Sequence, residues 1–255
     1  MDEITFRPGW LKDKPDPRDV SFAPPPEVIA AKRDEVDLRA KCPPIYDQKR
    51  LGYCFSFATL SVVEFDRMAQ GLPDFQSSAL FLGYNVHVME HTVGEDAGGS
   101  IRDSIKSLAR MGDCQSAQWP YDVEKYSIKP PKRCYRSALK YKIVAYHRIG
   151  NDRINPIDLM EACLSLGKII VFGIKVFPSF PMKTKTGAIP MPQPGEMDEG
   201  GHAINLVGYK HSAKFGRIRN EWNTTWGDAG YGTIPYDYLE DPALSSDFWT
   251  ITLTK

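Results

Sequence analysis

From Cys54 onward the apolar positions follow a helical period. Ala58, Val62, Phe65 and Ala69 recur at steps of four, three and four, the spacing of one helix face. Gly71 and Pro73 end the pattern. The spacing predicts this helix over residues 54–70, a second over 77–87 and a third over 100–110, with Gly112 just past its end. After about Leu139 the texture changes. Residues 142–146, 169–174, 203–209 and 248–253 are short runs rich in β-branched and aromatic side chains, and each predicts a strand. Residues 156–166 interrupt them as a helix, opened by Pro156 at the tolerated first position. A helical first part followed by a strand-rich second part predicts an α+β fold, whose seam is a favoured place for a ligand cleft. No internal repeat is present.

Residues 1–41 differ in texture. Pro8, Pro15, Pro17 and the run Pro24-Pro25-Pro26 leave little room for regular structure, and Lys32-Arg33-Asp34-Glu35 reads as a solvated charge cluster. This is expected to be an extended segment, an N-terminal extension or short propeptide that lies on the domain and contacts its cleft. It is too short to fold alone. The remainder divides into a helical part, 42–140, and a strand-rich part, 141–255.

At 255 residues, with 42% hydrophobic and 25% charged positions, the chain has the composition of an ordinary globular protein. Lys+Arg and Asp+Glu are both 32. That balance gives no reason to expect nucleic acid or a membrane as partner. The start, Met1-Asp2-Glu3-Ile4-Thr5, has no signal-peptide pattern, which fits a cytoplasmic protein or one whose signal has been removed; the compartment stays open. The five cysteines, at 42, 54, 114, 134 and 163, are too few and too scattered for a disulfide scaffold. One bridge among Cys42, Cys114 and Cys134 stays open, and Cys163 reads as a small buried residue of a helix.

Candidate chemistry gathers around Cys54. A thiol attacks well only as a thiolate, and two devices favour that form here. Cys54 opens a predicted helix, whose unpaired amides favour negative charge, and a histidine across a cleft would take the proton. His202 is the best placed of five histidines, because Gly200-Gly201 precede it and Ala203 follows, leaving room for a substrate. His211 reads as loop surface and His147 as strand-end surface. Asn220 would fix the imidazole tautomer, and Trp222 would shield their hydrogen bond from water. Gln48 and the Cys54 amide would donate to a tetrahedral oxyanion.

These residues stand in Gln48-Lys49-Arg50-Leu51-Gly52-Tyr53-Cys54, Gly200-Gly201-His202-Ala203 and Asn220-Glu221-Trp222-Asn223-Thr224-Thr225-Trp226-Gly227. The set resembles the papain family of cysteine peptidases, in the family's order, and the Cys54–His202 separation of 202 − 54 = 148 residues falls in its range of about 130–150. The resemblance implies a two-lobed α+β fold, a helical lobe packed on an antiparallel β-barrel lobe with the cleft between them. It implies a cysteine endopeptidase without metal or cofactor, acting as a monomer on peptides or proteins through a thioester, with a thiol held below its ordinary pKa as in papain itself. Gly98 and Gly99 resemble the paired glycines along which a substrate backbone lies. Gly201, Ile101, Ala203 and Trp222 complete the expected substrate contacts, with an apolar preference at the second residue from the scissile bond and one wall of that subsite unidentified.

The chain departs from the family pattern in places. Phe55 replaces a tryptophan, Lys49 and Tyr53 replace small residues, and Leu51 and Asp96 stand where a disulfide pair is usual. These departures point to a divergent microbial member. Two rival readings have their own motifs. His87-Val88-Met89-Glu90-His91 matches the inverted zinc-protease pattern, although Gly94 interrupts the helix without a following third ligand. The same cysteine chemistry also serves acyl transfer to an amine.

Overall fold

The computed structural model describes residues 7–31, 33–150 and 154–253. Its elements are α1 (Pro26–Ala30), β1 (Glu35–Asp37), α2 (Cys54–Ala69), α3 (Ala79–Glu90), α4 (Ile101–Met111), α5 (Lys132–Ala138), β2 (Ala145–Arg148), α6 (Pro156–Ser165), β3 (Ile170–Val176), β4 (Gly200–Lys210), β5 (Phe215–Arg219), β6 (Tyr231–Pro235), α7 (Tyr236–Glu240) and β7 (Ser245–Thr252). Helices dominate up to α5, and the strands that follow build an antiparallel sheet in the order β2-β7-β3-β4-β5-β6, with β1 also paired to β4. The barrel lobe anticipated from the sequence is this sheet.

Local chemistry sets the helix ends. Ser78 and Ser100 cap α3 and α4, accepting from the amides of Phe81 and Asp103. Asn155 caps α6, where Pro156 takes the first position. Gly112 ends α4 at φ 81, a conformation open to glycine at no steric cost. Helix α2 is buried on nearly all sides from Cys54 to Arg67. The single apolar face of the sequence reading is therefore too narrow: Ala69 is exposed, while Ser56, Thr59 and Ser61 are buried. The two small hydroxyls Thr59 and Ser61 are accommodated by bonding back to the carbonyls of Phe55 and Phe57, the usual solution for such residues inside a helix.

Two buried bonds tie α2 to the sheet and fix its height against β4. Asn205 Nδ2 donates to the Ala58 carbonyl at 2.8 Å, and Arg219 Nη1 donates to Ser61 Oγ at 2.7 Å.

Three sequence expectations shift. The strand anticipated over 142–146 runs instead from Ala145 to Arg148, because its ladder to β7 starts at Ala145↔Thr252 and Val144 is exposed. The N-terminal region is more regular than its prolines suggest. It carries α1 and β1, and Glu35, read as part of a solvated cluster, lies in the β1–β4 ladder and pairs with Arg217. Phe22, Val36 and Leu38 from this region are core residues. Cys42, Cys54, Cys114, Cys134 and Cys163 are all free thiols; the first of these is half-buried and the rest buried. Cys163 is buried on α6, as expected.

Candidate active site

Cys54 is the first residue of α2 and is fully buried. Its sulfur accepts a hydrogen bond from the Ala203 amide at 3.3 Å. This brings the nucleophile candidate against β4 beside His202, across 148 residues of sequence. The β3–β4 ladder fixes that height, with Ile174 opposite His202 and Gly173 opposite Ala203.

His202 Nε2 lies 2.8 Å from Asn220 Oδ1. The amide oxygen only accepts, so Nε2 carries the proton and Nδ1 is the basic nitrogen of the neutral ring. Asn220 follows β5, and its own Oδ1 also accepts from the Glu221 amide at 2.9 Å. Trp222 stacks on the imidazole with ring centroids 4.7 Å apart and planes 26° apart. Phe180 and Trp226 pack edge-on against Trp222, so the histidine–asparagine bond sits behind an aromatic wall.

Gln48 is buried, and its backbone amide donates to the Glu221 carbonyl at 2.9 Å. Its side-chain amide donates to the Leu51 carbonyl at 2.9 Å. An amide NH₂ has two donors, so this bond occupies one. The loop that carries Gln48 and the loop that carries Asn220 are thereby stitched together. A second stitch joins the Gln48 loop to Asp96. Asp96 Oδ1 accepts from the Gly52 amide at 2.9 Å.

The other expected site residues line the approach. Gly99 pairs with Trp10: its amide donates to the Gly9 carbonyl at 3.0 Å, and its carbonyl accepts from Leu11 at 3.1 Å. The Gly201 carbonyl accepts from the amides of Gly9 and Trp10, at 2.9 and 3.2 Å. Residues 9–11 thus form an extended strap between Gly99 and Gly201. Gly98 lies under the strap, where a Cβ would come 2.8 Å from the Gly9 carbonyl oxygen. Ile101 and Ala203 are fully buried nearby. The strap's placement had only a general expectation behind it; the signal was a tryptophan flanked by Gly9 inside a solvated, proline-rich stretch.

Covering the site changes its electrostatics. Burial pushes the Cys54 thiol up to about 12, against the opposing bond from the Ala203 amide. Burial also pushes His202 down to about 4, with Asn220 opposing. Both groups are neutral in this state, so the sequence expectation of a depressed thiol pKa does not hold for the covered site. The reason is that the strap displaces the water that would stabilise a thiolate–imidazolium pair.

The rival zinc motif is dispersed. His87 is buried and donates from Nε2 to the Gly98 carbonyl at 2.9 Å. Glu90 accepts from the Ser100 amide, and His91 is exposed at the left-handed end of α3. Among the described residues no group of three His, Cys, Asp or Glu side chains is arranged to hold a metal ion.

The family model described as papain family cysteine protease matches residues 32–241. The chain belongs to the papain family of cysteine proteases. It is 34% identical over 95% of its length to an uncharacterized peptidase C1-like protein of Acanthamoeba polyphaga mimivirus, covering 86% of that protein. Xylellain, a cysteine protease from Xylella fastidiosa, superposes with a TM-score of 0.89 at 36% identity, covering 99% of this chain and all of that one. Peptidase 1 of Psoroptes ovis is 27% identical over 80% of this chain, which spans 61% of its length. The protein is accordingly a papain-like cysteine peptidase, a hydrolase of peptide or protein substrates, and a divergent microbial member of the family. Among the described residues no helix is long and apolar enough to cross a membrane.

Proposed function

We propose that Cys54, His202, Asn220 and Gln48 form the catalytic set of a cysteine endopeptidase whose lobes are residues 42–140 and 141–255, with residues 1–41 an N-terminal extension of which residues 9–11 lie across the cleft. One observation carries the assignment: the 3.3 Å bond from the Ala203 amide to Cys54 Sγ, next to a histidine already bonded to Asn220.

Once the strap leaves, water re-enters and the thiol proton passes to His202 Nδ1. Cys54 Sγ attacks the scissile carbonyl carbon, and the carbonyl π electrons move onto oxygen. The Cys54 amide and the second donor of the Gln48 amide stabilise that oxyanion, each worth on the order of 10²–10³ in rate. Collapse breaks the C–N bond, and the imidazolium gives its proton to the leaving amine. Water, deprotonated by His202, then attacks the thioester and restores the thiol. Asn220 keeps the ring's Nε2–H engaged throughout, so that Nδ1 faces the chemistry.

The test is labelling with a peptidyl epoxide, read by intact mass and peptide mapping. Single addition at Cys54 that falls on the order of 10²–10⁴-fold in His202→Ala is the expected result. Addition elsewhere, or cleavage that a chelator abolishes, overturns the reading.

A further inference from the structure

Gly173 and Gly201 are interior residues of β3 and β4 with ordinary extended backbones, since neither is among the residues of positive φ. Glycine weakens a strand interior and needs a reason there. The reason is Trp10. A Cβ on Gly173 would come 1.9 Å from Trp10 Cε2 and 2.2 Å from Cδ2, so the fused bond of the indole occupies the space of the missing side chain. A Cβ on Gly201 would come 2.7 Å from Cε3 of the same ring. Trp10 is buried although its neighbours Arg7, Pro8, Leu11 and Lys12 are exposed. Its Nε1 has no hydrogen-bond partner among the described residues, so the ring is held by shape.

The backbone defines which substrate residue meets this pocket. Gly9 lies at the thiol, where a Cβ would be 2.7 Å from Cys54 Sγ, and Trp10 is the next residue along. Trp10 follows Gly9 towards the C-terminus in a strap that runs parallel to Gly99, so a substrate that crosses the groove in the opposite direction, with its scissile residue at Cys54, puts the residue before it over Gly173. Gly173 lies directly opposite Ala203 in the ladder and supplies the wall of that subsite which sequence reading left unidentified.

We propose that Gly173 and Gly201 floor a subsite sized for an indole, that the enzyme prefers peptides with tryptophan second from the scissile bond, and that Gly173 sets this preference. The inference deepens the peptidase reading and rests on Cys54 as nucleophile. Trp10 is then the chain's own occupant of its substrate pocket, and larger than the aliphatic residues an apolar slot requires.

The test uses the full-length chain. Gly9→Val displaces the strap, because a Cβ at Gly9 would lie 2.4 Å from the Gly52 carbonyl oxygen, and it leaves the pocket open. Peptides differing only in the second residue should be cleaved with kcat/KM on the order of tenfold or more in favour of tryptophan over leucine. Adding Gly173→Val should abolish or invert that ratio while alkylation of Cys54 by a small neutral reagent persists. A second measurement leaves Gly173 untouched. The peptide Arg-Pro-Gly-Trp-Leu-Lys should slow labelling of the Gly9→Val chain, and its Trp→Leu analogue should do so far less. Equal ratios in the two variants, or equal protection by the two peptides, overturn the indole subsite alone. No labelling of Cys54 in the Gly9→Val chain overturns the peptidase reading beneath it.

Discussion

Gly9 sits so close to Cys54 that a single added carbon on it would stand 2.7 Å from the sulfur. The strap therefore seals the thiol by backbone contact and excludes the water a thiolate needs. Opening it should lower the thiol pKa from about 12 towards the ordinary cysteine range, and each unit multiplies the thiolate at neutral pH about tenfold. Gly9→Val should accordingly be alkylated at Cys54 at least about tenfold faster than the native chain. Equal rates under a small neutral alkylating agent would show that the strap does not control reactivity.

Removing the whole N-terminal region should not be a clean route to activation. Phe22, Val36 and Leu38 belong to the core, and β1 pairs with the end of β4. Losing each buried side chain costs about 1.5–3 kcal/mol, so deletion of residues 1–40 should lower Tm by many degrees. If the segment were a detachable cover, the same deletion would leave Tm unchanged and simply expose the cleft. A thermal melt matching that of the intact chain would restore that view.

Asp96 holds the start of α2 through a hydrogen bond from the Gly52 amide. Asp96→Ala leaves that amide without its acceptor beside the nucleophile, at a cost of about 1–3 kcal/mol. The expected outcome is reduced stability in denaturant together with slower labelling of Cys54, because Gly52 positions the start of α2. Loss of stability with labelling unchanged would confine Asp96 to a structural role.

Much of the candidate site was legible because the chemistry proposed for it demands particular residue types in particular local settings. Cys54 before an apolar helical period, His202 behind two glycines and Asn220 two residues before Trp222 each carry a local signal. Gln48 is recognisable through its distance from Cys54. The parts that escaped depend on packing between distant segments. Gly173 lies in the run Ile170-Val171-Phe172-Gly173-Ile174, where nothing local says that an indole from residue 10 lies over it. The upward shift of the thiol escaped for the same reason: the helix start is visible in sequence, but the strap that dries it is not. The late start of β2 reflects the register set by β7, which propensity over residues 142–146 does not encode.

Asp13 should give the strap a pH dependence. Its amide donates to Asp247 Oδ2 at 2.7 Å, and its carboxylate accepts from the Arg102 amide and Trp249 Nε1. Arg148 pairs with Asp247 at 3.0 Å and stands 3.8 Å from Asp13. Arg102 also pairs with Asp19. Burial, and then the Asp247 charge, raise Asp13 from 3.8 to about 6, and Asp247 is shifted upwards as well by burial. A proton is therefore held more tightly when the strap is seated than when Asp13 is in water. Seating is fully favoured below about pH 4 and weakens as pH rises through about 6. Hydrogen exchange at the Trp10 and Leu11 amides should accordingly show more protection at pH 4.5 than at pH 7, after correction for intrinsic exchange. Asp247→Asn removes the opposing charge and is tolerated at φ 57, a left-handed position that asparagine adopts readily. This variant should flatten the pH response, and a response as steep as the native one would exclude the acid pair as its source.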